Sequence, residues 1–254
     1  MTTIAIIGGS GLHEMPQLSD KKEVFSETPW GMPSAPLEVG FIGKTKVVFL
    51  SRHGMSVRYP PHMINYRANL WAINQLSPDF VVGFGSVGCI SPEDKPGMLA
   101  IPDQLIDYTW GRESSYNCGD SETIVHIDFT NPFDEKVREL LLDASGALSY
   151  PIIDGGVYGV TQGPRLETAS EVDRMARDGV HYIGMTLMPE ACLARELNLS
   201  YAMICQIVNH AAGRQTSEEC IDFTNLSEIL ERTTKQSLEI VLKASEDLNI
   251  DELK

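Results

Sequence analysis

Apolar positions in this chain recur in two rhythms: short runs bounded by turn residues, and longer stretches with apolar residues three and four apart. The short runs predict strands at Ile4–Ile7, Leu37–Ile42, Val47–Leu50, Phe80–Phe84, Leu99–Ile106, Gly156–Val160, His181–Gly184 and Tyr201–Val208. The helical spacing predicts helices over Ile64–Leu76, Asp134–Leu142, Glu167–Arg177, Pro189–Leu197 and Leu226–Leu248. Such alternation implies an α/β sandwich, a central mixed β-sheet flanked by helices. No repeat, low-complexity tract or linker interrupts it, so residues 1–254 read as a single domain. Ligands of such sheets gather at the carboxyl ends of strands. Most of the chemically informative residues fall there.

Composition narrows the partners. A net charge of -15 argues against nucleic acid, whose backbone is bound through clustered Lys and Arg. Any bound anion must be held by a few local donors against the overall field. No apolar stretch is long enough to span a bilayer, and Met1–Gly9 has neither a basic leader nor a cleavage site. A cytoplasmic protein with no membrane partner is expected. The cysteines Cys89, Cys118, Cys192, Cys205 and Cys220 are odd in number and form no CxxC pair, which predicts free thiols and no zinc site.

Two glycine-rich segments imitate nucleotide-binding motifs and fail in detail. Gly8-Gly9-Ser10-Gly11 follows the first strand, but a GxGxxG pattern begun at Gly9 would need glycine at Glu14. The turn can still cradle an anion, because glycine amides are unobstructed. Gly43-Lys44-Thr45 mimics the end of a P-loop, yet Glu38 stands where the first glycine belongs. Between two short strands it reads as a hairpin turn.

Several predicted strand ends carry chemistry. Ser51-Arg52-His53-Gly54 sets a guanidinium fork and an imidazole together, suited to phosphate oxygens or equally to a solvated turn. Gly83-Phe84-Gly85-Ser86-Val87-Gly88 permits close backbone approach to a ligand, or else crowded packing. In Gly163-Pro164-Arg165-Leu166-Glu167-Thr168, Glu167 sits near a helix start, where complementing the helix dipole is the bland alternative. Val208-Asn209-His210-Ala211 closes the last strong strand with a polar pair that needs partners if buried.

These segments, taken in order, resemble the trimeric purine nucleoside phosphorylases, and within them the methylthioadenosine and methylthioinosine phosphorylase branch. The resemblance runs from the GGSG turn through RHG, NYRANLWA, VGCI, DQLIDYT, HIDFTNPF, TQGPRLET, GMTLMPEA and IVNHAAG. It implies that Ser10, Arg52, His53, Gly85, Ser86 and Thr186 surround phosphate, that Met185 lies against the ribose, and that His126 reaches a neighbour's active site. It further implies a homotrimer with active sites near subunit interfaces, inorganic phosphate as co-substrate, and no metal or organic cofactor. Two departures matter. The adenine-specific enzymes end the last strand in a pair of aspartates, where this chain has Asn209 and Ala211; and a family threonine is replaced by Gly85. Asparagine at this strand end and glutamate at Glu167 match the 6-oxopurine enzymes instead.

The hydrogen-bond logic agrees. Asn209 can donate to O6 of hypoxanthine and accept from a protonated N7, while a Glu167 carboxylate suits N1–H and repels the bare N1 of adenine. A mismatch that leaves buried groups unpaired is worth up to ~10⁴-fold in discrimination. The expected reaction is phosphorolysis of a 6-oxopurine nucleoside, with Arg52, His53 and Asn209 in catalytic roles and S-methyl-5'-thioinosine as substrate. Inosine, guanosine and methylthioadenosine remain alternatives. Leu226, with Ile229 and Leu230 one turn on, is expected to wall an apolar 5' group; His62 or His210 could instead meet a hydroxyl. A histidine phosphatase, which also uses an RHG motif, and a non-enzymatic nucleoside-binding protein are the competing readings.

Overall fold

In a computed structural model, which describes residues 1–25, 27–56, 59–117, 119 and 124–248, the strands are β1 (Thr3–Gly8), β2 (Ser19–Val24), β3 (Leu37–Ile42), β4 (Thr45–Ser51), β5 (Phe80–Cys89), β6 (Leu99–Ile101), β7 (Gln104–Asp107), β8 (Ile152–Asp154), β9 (Val157–Val160), β10 (Tyr182–Gly184) and β11 (Tyr201–His210). The helices are α1 (Tyr66–Asn74), α2 (Glu135–Ala147), α3 (Ala169–Arg177), α4 (Leu187–Glu196) and α5 (Leu226–Asp247).

The described strands form one mixed sheet whose branch point is β5. Its first half runs parallel to β1, its end pairs antiparallel with β10, and β11 lies parallel along nearly its whole length. Alternation along β1 supplies two cores. Ala5 and Ile7 join α1 and α4 on one face, and Ile4 and Ile6 join α2 and α5 on the other. A smaller cluster of Val172, Met175 and Ile183 seats α3. The result is the expected α/β domain, a mixed sheet flanked by helices.

Several features depart from the sequence expectation, among them the short strand β8, which no apolar run predicted. The run Leu99–Ile106 divides into β6 and β7, which pair with different neighbours, because Pro102 lacks the N–H a continuous ladder needs. Strand β5 continues past Phe84 to Cys89, so its glycines lie inside a strand rather than at its end. The edge strand β2, with sequence Ser-Asp-Lys-Lys-Glu-Val and mostly exposed, carries no apolar alternation; charged edges of this kind discourage unwanted pairing. Gly43 takes φ 59° in the β3–β4 hairpin, as that turn requires. Cys89, Cys192, Cys205 and Cys220 are free thiols, while Cys118 lies outside the described residues.

Candidate active site

The ends of β1, β4, β5, β10 and β11 open onto one cavity of about 260 Å³. Ser10, Arg52, His53, Gly85, Ser86, Met185, Thr186, Glu167, Asn209, Ala211 and Leu226, predicted from segments far apart in sequence, all line it. His62, His210 and Ile229 do not, and His126, expected at a neighbour's site, lies apart from it as well. His62 is exposed elsewhere, and His126 is exposed outside the chain's own cavity. His210 follows Asn209 on β11, so its side chain takes the opposite face, where Nδ1 lies 3.0 Å from Thr216 Oγ1.

Arg52 is no solvated turn residue. Its side chain is fully buried, with Nε 2.6 Å from Glu190 Oε2, Nη2 2.8 Å from Glu190 Oε1, and Nη1 donating to the Phe84 carbonyl at 2.6 Å. Tyr201 donates its hydroxyl to Glu190 Oε1 at 2.8 Å. Burial opposes the Arg52 charge, but the adjacent Glu190 carboxylate more than offsets it and holds the guanidinium firmly protonated. Glu190 takes two of the five guanidinium N–H groups and the Phe84 carbonyl a third, which leaves one on each Nη for a ligand. Gly9 makes room, since a Cβ there would stand 2.4 Å from the Phe84 oxygen and 3.1 Å from Arg52 Nη1.

His53 and Ser86 complete this end of the cavity. Burial lowers the pKa of His53 below its ordinary value, against a hydrogen bond to the Tyr59 carbonyl and reinforced by Arg52. That carbonyl, 2.9 Å from Nδ1, can only accept, so the neutral ring carries its proton on Nδ1 and leaves Nε2 as an acceptor. Ser86 Oγ is buried and has no hydrogen-bond partner among the described residues, a hydroxyl that a polar ligand would satisfy. The neighbouring glycines answer to packing. A Cβ on Gly83 would meet the Tyr201 hydroxyl at 2.5 Å, and one on Gly85 would meet Met203 Cε at 2.3 Å.

At the opposite end stand Glu167 and Asn209. Helix α3 begins at Ala169, capped by Thr168, with Glu171 closing a capping box. Glu171 therefore serves the helix start, and Glu167, two residues before it, is left to line the cavity. Thr161 Oγ1 holds Glu167 Oε1 at 2.5 Å. The pairing of β11 with β5 shifts register between Ile207 and Asn209. This irregularity lets consecutive residues Val208 and Asn209 both reach the cavity, which a regular strand forbids. Asn209 Nδ2 donates to the His210 carbonyl at 2.7 Å, and Gly88 leaves space beside it, where a Cβ would lie 3.0 Å from that nitrogen.

The remaining wall is apolar. Val208, Ile221, Phe223, Leu226 and Leu230 line it, whereas Ile229 does not. A second cavity, of about 430 Å³, adjoins the far side of Glu167. Its arginines are engaged already: Arg165 lies 2.7 Å from Glu171, and Arg174 sits over the Tyr108 ring. The cavity with the buried cation and the unpartnered hydroxyl is therefore the better candidate for chemistry.

Sequence reasoning did not single out Glu190, Tyr201, Ile221 or Phe223. Glu190 carried a signal, a lone acid between the apolar residues Leu187-Met188-Pro189 and Ala191-Cys192-Leu193-Ala194 that the fold had to bury. Among the described residues no helix is long and apolar enough to cross a membrane, and no cluster of His, Cys, Asp and Glu could hold a metal.

Residues 3–244 match the model of the Phosphorylase superfamily. A protein of Pseudomonas syringae pv. tomato named "Probable S-methyl-5'-thioinosine phosphorylase" is 44% identical over 85% of this chain and 88% of its own length. The 6-oxopurine nucleoside phosphorylase of Pyrococcus furiosus is 37% identical over 96% of this chain and 92% of its own. In structure, the methylthioadenosine phosphorylase of Schistosoma mansoni in complex with adenine superposes with a TM-score of 0.90 at 30% identity, covering 100% of this chain and 95% of that one.

Proposed function

The chain belongs to the phosphorylase superfamily, and we propose that it is the member that transfers 5-methylthioribose from S-methyl-5'-thioinosine to inorganic phosphate. It is a nucleoside phosphorylase, a pentosyltransferase acting on a 6-oxopurine nucleoside. Family membership sets aside the histidine-phosphatase alternative. The observation that carries the finer reading is the composition of the cavity at the strand ends: a buried guanidinium with free donors at one end, an amide and a carboxylate at the other, and an apolar wall between Phe223 and Leu230.

Phosphate binds against Arg52, Ser10, Ser86 and Thr186, with the backbone of Gly85 in place of a side chain. The dianion has one O–H, which His53 Nε2 is placed by its tautomer to accept. The glycosidic bond breaks through an oxocarbenium-like state with phosphate on the opposite face of the sugar, where positioning and charge complementarity lower the barrier. The leaving purine gathers negative charge and takes up a proton on N7 through solvent, balanced by the proton the phosphate O–H gives up, and the Asn209 carbonyl accepts a hydrogen bond from that N7–H. Glu167 accepts from N1–H. Hypoxanthine and 5-methylthioribose 1-phosphate are released.

Apolar residues at the 5' wall support a methylthio group over a hydroxyl, since no described lining residue on that side offers a polar side chain. No cofactor enters this mechanism. We also assign the chain to a cytoplasmic homotrimer: His126 is exposed outside its own cavity, and Trp110, Ile124 and Val125 present large apolar surface in the same part of the sequence. Phosphate-dependent base release compared across methylthioinosine, methylthioadenosine, inosine and guanosine tests the reading. Highest kcat/KM on methylthioinosine is expected, and a preference for methylthioadenosine overturns it.

A further inference from the structure

We propose that Arg112 is a positioning residue for base recognition, riveting the turn that carries Glu167 to the turn that carries Met185 and Thr186, with Thr161 as the link. The inference rests on the base-recognition reading above. It starts from a hydrogen-bond pattern that neither turn can make alone. Arg112, half-buried in the segment after β7, directs its guanidinium between the two turns. Nε donates to Gln162 Oε1 at 3.2 Å, and Nη2 donates to the carbonyls of Thr161 and Gln162 at 3.3 and 2.9 Å. Nη1 donates to the Met185 carbonyl at 2.8 Å and to that of Met188. Every N–H of the fork is thereby used, and none is left for substrate. The Tyr66 ring lies beside the guanidinium, its centroid 5.9 Å from Cζ, and limits its movement.

The two riveted turns carry different parts of the site. One leads from β9 to Glu167; the other leads from β10 into α4 and contributes Met185 and Thr186 to the cavity wall. Thr161 joins them, because its amide donates to the Gly184 carbonyl at 2.8 Å while its hydroxyl holds Glu167 Oε1. That contact occupies one carboxylate oxygen and leaves Oε2 for N1–H of the base. The distance between base and sugar sites is thus set by Arg112 and read out through Thr161. Of the proposed phosphate contacts only Thr186 rides on a riveted turn; Arg52, His53, Ser10 and Ser86 stand on other elements, so phosphate keeps most of its donors when this device is loosened.

The test uses Arg112→Lys, Arg112→Ala, Thr161→Val and Thr161→Ser, each measured for thermal stability, for KM of phosphate and of nucleoside, and for the ratio of kcat/KM on methylthioinosine to that on methylthioadenosine. Lysine keeps the charge but has three donors on one atom and cannot span both turns. Arg112→Lys should raise the nucleoside KM and compress the ratio roughly 10- to 100-fold, the scale of a misplaced recognition group, while the phosphate KM moves far less. Thr161→Val should compress the ratio in the same way, and Thr161→Ser should restore it. Should Arg112→Ala fail to fold, the lysine and threonine variants decide. A folded Arg112→Lys with lower melting temperature but wild-type nucleoside constants overturns the proposal, as does a Thr161→Val enzyme of unchanged selectivity. A wild-type enzyme that prefers methylthioadenosine sinks the base-recognition reading instead, and the split between the two KM values still judges Arg112.

Discussion

Arg52 follows the end of β4 with no exposed surface, tied to Glu190 and the Phe84 carbonyl, whereas Glu167 and Asn209 hang on a turn and an irregular strand end and keep part of their surface open. The proposed phosphate end is thus anchored in the core through Arg52, whose geometry is fixed by the buried Glu190 and the β5 backbone. The base end is attached to the core by local hydrogen bonds such as Thr161 to Glu167. A scaffold built this way can keep one anion site while the purine it accepts is altered by a few side chains. The adenine-bound Schistosoma mansoni relative, similar over the whole chain, fits that view.

Breaking the phosphate end should have the largest effect. Arg52→Ala leaves Glu190 buried without its cation, and Glu190→Gln leaves the guanidinium without its carboxylate. Loss of one partner of such a pair destabilises by about 3–5 kcal/mol. Losing the cation should also weaken phosphate binding by about 2–5 kcal/mol, roughly 30-fold or more. Urea unfolding with and without phosphate separates the two effects. An Arg52→Ala protein with wild-type stability and phosphate KM would remove Arg52 from both roles.

At the base end the fold should survive and the selectivity should move. Asn209→Asp places a carboxylate against O6 and should cost about 1–3 kcal/mol on 6-oxopurine substrates with little loss of stability. It should not create an efficient enzyme for 6-aminopurines, because Glu167 still confronts their N1 with a second acceptor. Gain of that activity should need Glu167→Ser as well, and a double-mutant cycle on kcat/KM should show non-additivity. Unchanged preference in Asn209→Asp would count against the assignment of this end to the base.

The contrast also marks what the sequence could reveal. Periodicity placed the helices and most strands within a few residues, because their buried positions are apolar and recur at helical or strand spacing. The candidate site was legible through ordered motifs at strand ends. What stayed hidden depends on side chains from distant segments meeting. Glu190 and Arg52 are 138 residues apart, and nothing local states that they pair. The register shift before Asn209 depends on β5 beside it, and Glu167 was freed from the helix only because Glu171 took the capping position. Strand β2 was invisible because an exposed edge needs no apolar face.

A smaller effect is expected at the apolar wall. Leu230→Ala and Phe223→Ala should lower kcat/KM on methylthioinosine and leave inosine, with its 5' hydroxyl, nearly unaffected. Each lost apolar contact is worth about 1 kcal/mol per methylene-sized group, so the ratio of the two substrates should shift several-fold to roughly tenfold. Equal losses on both substrates would show that these residues support the fold rather than the 5' group.

The smallest effect concerns pH and sharpens the contrast from the phosphate side. Burial lowers the pKa of His53 in the folded protein, with the Tyr59 carbonyl opposing and Arg52 reinforcing the shift, and Glu190 and His13 also close enough to act on it. The unfolded chain, with an ordinary histidine near 6.5, then binds the proton more readily than the native state. Stability from the neutral ring should be complete above about pH 6.5 and should be lost as pH falls through the lowered folded value. For one group the slope stays below about 1.4 kcal/mol per pH unit. His53→Gln cannot titrate, so the stability difference between wild type and variant should be flat above that pH and change in favour of the variant below it. A difference that grows in favour of wild type on acidification would mean that His53 is charged in the native state. Its Nε2 would then donate to phosphate rather than accept from it.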